Sequence, residues 1–274
     1  MKIYISADIE GIGCIVRSEQ SSPGGREYAW ARRMMTEEVN AAIRGAFDGG
    51  ASEVVVADSH NVGLNLIPEE LDERISLIMG SPRPLSMMDG IDDKADLVFL
   101  VGYHSQSGTP DSNLVHIFTG RVAELKVNGK AIGEIGISAA LAGTYGVPVG
   151  LVTGDDKTTQ EARRLLGPVE TVEVKKGIGM YAGLCLPPAR SRELIYEGAK
   201  RAMSRIKAFK PFRIKSPAVL QIRFTTASSV DRALRMPGVQ RVGPLTVRFK
   251  GKDFMEGFKA FNTIADLLDL VSYI

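Results

Sequence analysis

The chain has 274 residues, 44% apolar and 24% charged, long enough for a sizeable core and too ordinary in composition for a disordered or membrane protein. A formal charge of +2 with both signs interspersed leaves no basic face for nucleic acid, and no apolar run approaches the ~20 residues that cross a bilayer. The start enters a strand without signal-peptide features, and Cys14 and Cys185 form neither a disulfide framework nor a CxxC pair, so a cytoplasmic protein with two reduced thiols is expected.

Lys2-Ile3-Tyr4-Ile5-Ser6-Ala7-Asp8-Ile9-Glu10-Gly11 opens as a short apolar run rich in β-branched and aromatic residues, a strand buried on both faces. Asp8 and Glu10 stand where that strand ends. Two residues apart on an extended backbone, they share a face and repel each other unless a cation lies between them. Gly11-Ile12-Gly13 is not a dinucleotide loop: Val16 occupies the place of the third glycine, and the two acids would face the phosphates. These glycines instead let backbone pass close to a charged site.

Residues 17–25 read as a loop, followed by a helix from Arg26 to Phe47 that Gly49-Gly50 stop and whose Trp30 is expected in the core or at a subunit interface. Glu53 to Ala57 is a second buried strand ending in Asp58-Ser59-His60-Asn61, which makes a right-handed parallel βαβ unit. A helical turn at Pro68–Asp72 and a strand at Ile75–Met79 precede a strand at Asp96–Tyr103 that ends at His104. Residues 105–115 form a polar loop over the site, His116 follows, and 122–132 is a hairpin around Asn128-Gly129 in a type I′ turn. Glu134 opens a helix to Tyr145, Val147–Thr153 is a strand ending at Gly154-Asp155-Asp156, and Lys157–Leu166 is a helix stopped by Gly167-Pro168. Beyond lie helices at Ser191–Ile206 and Phe254–Val271 and strands at Val219–Thr225 and Leu245–Phe249. The expected fold class is α/β, a predominantly parallel sheet flanked by helices (1–167, catalytic and metal-binding) with a smaller C-terminal α+β domain (168–274) contributing to assembly and pocket shape.

Ligands of open parallel sheets sit beyond the carboxyl ends of the strands, and three strands here end in Asp8/Glu10, His60 and His104. The chain has 3 histidines, at 60, 104 and 116, all in or near that edge. Other readings exist for each residue. Asp8 and Glu10 could pair with lysines, His60 could be a base oriented by Asp58, and Glu134 alone would be an acid at a helix N-terminus. Together, mixed carboxylates and imidazoles suit zinc or manganese, and such a set can hold two ions a few Å apart and a hydroxide at neutral pH.

Ser6-Ala7-Asp8-Ile9-Glu10-Gly11, Asp58-Ser59-His60, Gly102-Tyr103-His104, Gly133-Glu134-Ile135-Gly136 and Gly154-Asp155-Asp156 resemble, in order and spacing over nearly the whole chain, the D-aminopeptidase family first described from a bacterial dipeptide-transport operon. The resemblance implies a dinuclear zinc aminopeptidase, Zn2+ two per subunit, that releases an N-terminal D-amino acid from short peptides such as D-Ala-D-Ala by metal-bound hydroxide attack, assembled as a ring-like homodecamer. It implies metal ligands at Asp8, Glu10, His60, His104 and Glu134, with Asp8 bridging, and a catalytic role for His116. A two-metal phosphoesterase is the rival enzyme, with Arg121 the cation near the motifs, and a non-catalytic metal- or small-molecule-binding oligomer is the rival without chemistry.

Overall fold

The computed structural model describes residues 1–92 and 94–269. Its first half runs β1 (Lys2–Ala7), α1 (Ser18–Ser21), α2 (Tyr28–Asp48), β2 (Glu53–Asp58), β3 (Ser76–Ile78), β4 (Leu97–Val101), β5 (Val122–Val127), β6 (Lys130–Ala131) and α3 (Glu134–Thr144). Its second half runs β7 (Val149–Asp155), α4 (Asp156–Leu166), β8 (Glu170–Gly179), β9 (Ala182–Cys185), α5 (Pro188–Ser204), β10 (Ala218–Phe224), α6 (Ala227–Ala233), β11 (Gln240–Gly243), β12 (Thr246–Gly251) and α7 (Phe254–Asp269). The expected end of the last helix, beyond Asp269, lies outside the described residues.

Strand alternation builds a core on each face of the first sheet. Ile3, Ile5 and Ala7 of β1 join Val54, Val56, Leu97, Phe99 and Val101 against Met35, Val39 and Ile43 of α2 and Ile195, Ala199 and Met203 of α5. Tyr4, Val55, Val98 and Leu100 face the other way, toward α3, α7 and the second sheet. Burying each such apolar side chain contributes on the order of 1.5–3 kcal/mol, so strands apolar on both faces belong at the centre of a covered sheet.

The first sheet has seven strands in the order β3-β2-β1-β4-β7-β8-β9, parallel except for the β8–β9 pair. The chain winds outward from β1 through β2 to β3, then restarts at β4 on the other side, so the topological switch point lies between β1 and β4. The second sheet is antiparallel, in the order β11-β12-β10-β5-β6.

Sheet membership crosses residue 167. β8 and β9 extend the first sheet and α5 covers it, whereas the β5–β6 hairpin pairs through β5 with β10 in the second sheet. The cause is the register of Leu220 against Val127, a long-range pairing that draws the hairpin out of the first sheet. The hairpin itself forms as expected, with Asn128 and Gly129 at φ 50° and 81° as a type I′ turn requires. The sequence reading lacks five of these elements: α1 in the expected loop, β8 and β9 of the hairpin, α6 and β11. Trp30 is 41% exposed on α2, which removes it from the core.

Candidate metal centre

Asp8 and Glu10 leave β1 on a turn that crosses close over the end of β4. The amide of Asp8 donates to the Val101 carbonyl (2.8 Å) and that of Gly11 to the Gly102 carbonyl (2.7 Å). A methyl group on Gly11 would sit 1.8 Å from the Tyr103 carbonyl oxygen, and Gly102 has φ +72° with its missing Cβ 2.2 Å from the Asp8 carbonyl. Only glycine fits both places, which is the close backbone approach expected beside a charged site.

His60 follows β2 in a turn organised by Asp58. The buried Asp58 carboxylate accepts from the Asn65 amide (2.5 Å), the Leu66 amide (2.7 Å) and the Asn65 side chain (2.7 Å), while Asn65 also donates to the His60 carbonyl (2.6 Å). Asp58 therefore shapes the loop and is not the orienting partner of the His60 ring. His104 comes off β4. Glu134 is the first residue of α3, where the dipole favours a carboxylate, and its Oε1 accepts from the Phe118 amide (2.7 Å). His116 lies between Leu114 and Phe118, both in the left-handed region (φ 53° and 59°), strained conformations that each cost on the order of 1–3 kcal/mol.

These six side chains meet. His60 Nδ1 is 3.2 Å from Asp8 Oδ1 and 3.0 Å from Glu10 Oε2; His104 Nε2 is 3.7 Å from Asp8 Oδ2 and 3.4 Å from Glu134 Oε2; His116 Nε2 is 3.7 Å from Glu134 Oε1. The rings of His104 and His116 stack at 4.2 Å. Two groups of three, Asp8–Glu10–His104 and His104–His116–Glu134, each bring a ligand atom from every member within 4.8 Å of the others. Asp8, Glu10, His104 and Glu134 are buried, and His116 is the more open imidazole, facing a cavity of about 770 Å³.

Hydrogen bonding fixes which nitrogen of each imidazole is available. A backbone carbonyl only accepts, so His60 Nε2 donates to Ser21 (2.7 Å), His104 Nδ1 to Ser105 (2.9 Å) and His116 Nδ1 to Leu114 (2.9 Å). In the neutral ring the other nitrogen then presents a lone pair to the carboxylates. Asp8 Oδ2, Glu10 Oε2 and His104 Nε2 are buried without a hydrogen bond. Lone pairs converging on one buried point are repulsive unless a proton or a metal ion lies among them, and imidazoles tethered through their far nitrogen are the usual supports of a metal. The donor set present fits a metal.

Electrostatics give the same picture for the protons. Burial, joined by the Glu10 carboxylate, pushes Asp8 up to about 7 against the pull of His60 and His104. Burial opposes the charged form of His104, yet Glu134, Asp8 and Glu10 together push it up to about 10. His60 is likewise raised well above its ordinary value, burial being outweighed by Glu10 and Asp8. Glu10 and Glu134 are held low despite burial, Glu10 chiefly by His60 and Glu134 chiefly by His104.

The D-aminopeptidase family profile matches residues 1–263. The chain belongs to the D-aminopeptidase family. It is 36% identical to a D-aminopeptidase of Bacillus subtilis (strain 168) over 274 residues, all of both chains. Its structure superposes with TM-score 0.97, at 36% identity and full coverage of both chains, on the Zn-dependent D-aminopeptidase DppA from Bacillus subtilis, a self-compartmentalizing protease.

Sequence reasoning missed the residues that hold the cluster in shape. Lys175 of β8 is fully buried, and its Nζ donates to the carbonyls of Glu10 (2.6 Å), Ile12 (3.0 Å) and Ile15, gripping the turn that carries Glu10. Asp155 caps α4 through Thr158 and accepts from Ser112 (2.7 Å) and the Asn113 amide (2.9 Å), anchoring the loop that leads to His116. Asp155 stands in Gly154-Asp155-Asp156, at a strand end before a helix. For Lys175 no such signal exists, because it sits among charges in a strand that was itself unrecognised.

Proposed function

We propose that this chain is a zinc aminopeptidase that removes the N-terminal D-amino acid from short peptides of the D-Ala-D-Ala kind, with Asp8, Glu10, His60, His104 and Glu134 as the residues that would hold two zinc ions per subunit, and His116 catalytic. The observation that carries it is the tethering of three imidazoles to backbone carbonyls, so that their remaining nitrogens face three buried carboxylates. Bound there, zinc supplies Lewis acidity that polarises a peptide carbonyl and lowers the pKa of water. His116 is placed at the cavity with Nε2 as its working atom, since Nδ1 is committed to Leu114. That nitrogen takes a proton from the attacking water and, once charged, offers it as a hydrogen bond to the tetrahedral oxyanion before giving it up to the leaving amine.

The cavity favours a peptide over a phosphate ester, because no lysine or arginine lines it among the described residues, Arg121 included. Asn262, Ala265 and Asp266 of α7 contribute to its wall, which supports a role for the C-terminal part in pocket shape. The proposed assembly is a cytoplasmic homodecamer. Ile178, Met180, Tyr181 and Leu184, exposed together on the β8–β9 hairpin, support self-association, and no helix among the described residues is long and apolar enough to cross a membrane. The deciding experiment is a panel of D- and L-amino-terminal dipeptides, amino-acid amides and a chromogenic phosphate ester, assayed as purified, after chelation and after zinc is restored. Zinc-dependent release from D-amino-terminal substrates is expected. Phosphate ester hydrolysis without peptide cleavage, or bound zinc with no turnover at all, would overturn the proposal.

A further inference from the structure

Cys14 and Cys185, far apart in sequence, are brought together by the crossing of the β1 turn over β9. Cys14 Sγ lies 3.6 Å from the carbonyl oxygen of Leu186, the residue after Cys185, and the Cys185 thiol, itself 3.9 Å from the Gly183 carbonyl, is near enough to act on the Cys14 thiol. The approach is fixed from both sides. Lys175, the ladder partner of Cys185, holds the carbonyls of Ile12 and Ile15 on either side of Cys14, and Cys14 itself is locked in the left-handed region at φ 66°. Both thiols are free and partly exposed.

We infer that Cys14 and Cys185 form a modification site, a thiol pair placed to close into an intrachain disulfide that staples the Glu10 turn to β9 when the protein meets a peroxide. Burial and the neighbouring thiol push Cys14 up to about 11, so it stays protonated at neutral pH and serves as the second sulfur. In the first step the Cys185 thiolate attacks one oxygen of hydrogen peroxide, the O–O bond breaks, and the departing hydroxide leaves as water with a proton from solvent, giving a sulfenic acid. In the second step the Cys14 sulfur attacks the Cys185 sulfur, the S–O bond breaks, and the hydroxide leaves as water with the Cys14 thiol proton. Two thiols are oxidised by two electrons and one peroxide becomes two waters. The pairing does not depend on the reaction proposed above.

The test treats the full-length protein with a few equivalents of hydrogen peroxide, alkylates the remaining thiols, and maps peptides by mass spectrometry without reduction. The expected result is one peptide pair joining Cys14 to Cys185 with the loss of two hydrogens, reversed by dithiothreitol and absent from C14S and C185S, each of which is checked for folding by circular dichroism. Both thiols still alkylated after peroxide, separate sulfinic acids at the two positions, or a disulfide between chains on a non-reducing gel would each overturn the inference.

Discussion

Replacing Lys175 with methionine removes a buried ammonium while keeping the volume of its stem. The ammonium is expensive in that site: burial holds its pKa down to about 8 against 10.5, a cost of about 3 kcal/mol while it is charged. Its three carbonyl acceptors lose their donor in the variant, at about 1–3 kcal/mol each, and the Asp155, Glu38 and Glu10 charges lose a counterion. The acceptors outweigh the relief, so K175M should lose about 2–5 kcal/mol, a fall in melting temperature of roughly 5–15 °C. The pH dependence is a second readout. Folded Lys175 releases its proton near 8 and the unfolded side chain keeps it to 10.5, so the unfolded state binds more protons between those values and wild-type stability gains a rising contribution there. K175M lacks that contribution, and the gap between the two proteins should widen from pH 8 to 10.5. Denaturant titrations at several pH values, with zinc content measured in parallel, test both points. A K175M protein with the wild-type midpoint, the wild-type pH profile and undiminished metal would refute the view that this ammonium holds the Glu10 turn.

His116→Gln should lower kcat by about 10²–10⁴ with zinc per chain unchanged; a matching loss of zinc on elemental analysis would make His116 a ligand instead. Metal uptake by the apoprotein at pH 7 should expel about two to three protons, those that the carboxylates keep on His60 and His104 and the half proton left on Asp8, and apparent affinity should climb with pH. Calorimetry in buffers of different ionisation enthalpy reads this directly, and a heat independent of buffer would contradict it. Gly11→Ala should force the β1 turn off the Tyr103 carbonyl, with a loss of about 2–4 kcal/mol by thermal melting and at least 10²-fold in kcat/KM; a variant with wild-type values would show that the two turns have room to part.

What the sequence disclosed follows from how far each signal reaches along the chain. β1, β2, β4 and β7 are apolar on both faces, so their type and parallel setting are legible locally, and the rule that parallel strands deliver their ends to one edge then puts Asp8, Glu10, His60 and His104 together. Asn128-Gly129 declared a hairpin but not its sheet, because the partner of Val127 is Leu220. In β8, Glu173, Lys175 and Lys176 interrupt the apolar alternation, and the reason Lys175 is tolerated there is three carbonyls from a turn some 160 residues earlier. Such a cage has no local signature. The same holds for the left-handed Leu114 and Phe118, whose strained backbone turns His116 back toward Glu134.

The site is assembled from two excursions on opposite sides of the switch point, and its integrity rests on their crossing. Asp8, Glu10 and His60 come from the β1–β2 side, whereas His104, His116 and Glu134 come from β4 and from the detour through the second sheet that returns at α3. Of the two groups of potential ligands, one draws His104 across to Asp8 and Glu10, so neither side completes both groups alone. The sides meet as backbone where Gly11 donates to Gly102, at a separation that admits no side chain. Lys175 fixes the turn on the first side and Asp155 the loop on the second, and both belong to the adjacent strands β7 and β8. One rigid strand pair outside the reacting groups thus sets the distance between the two halves. This accounts for a buried lysine and a buried aspartate standing where apolar side chains would otherwise stabilise the core more.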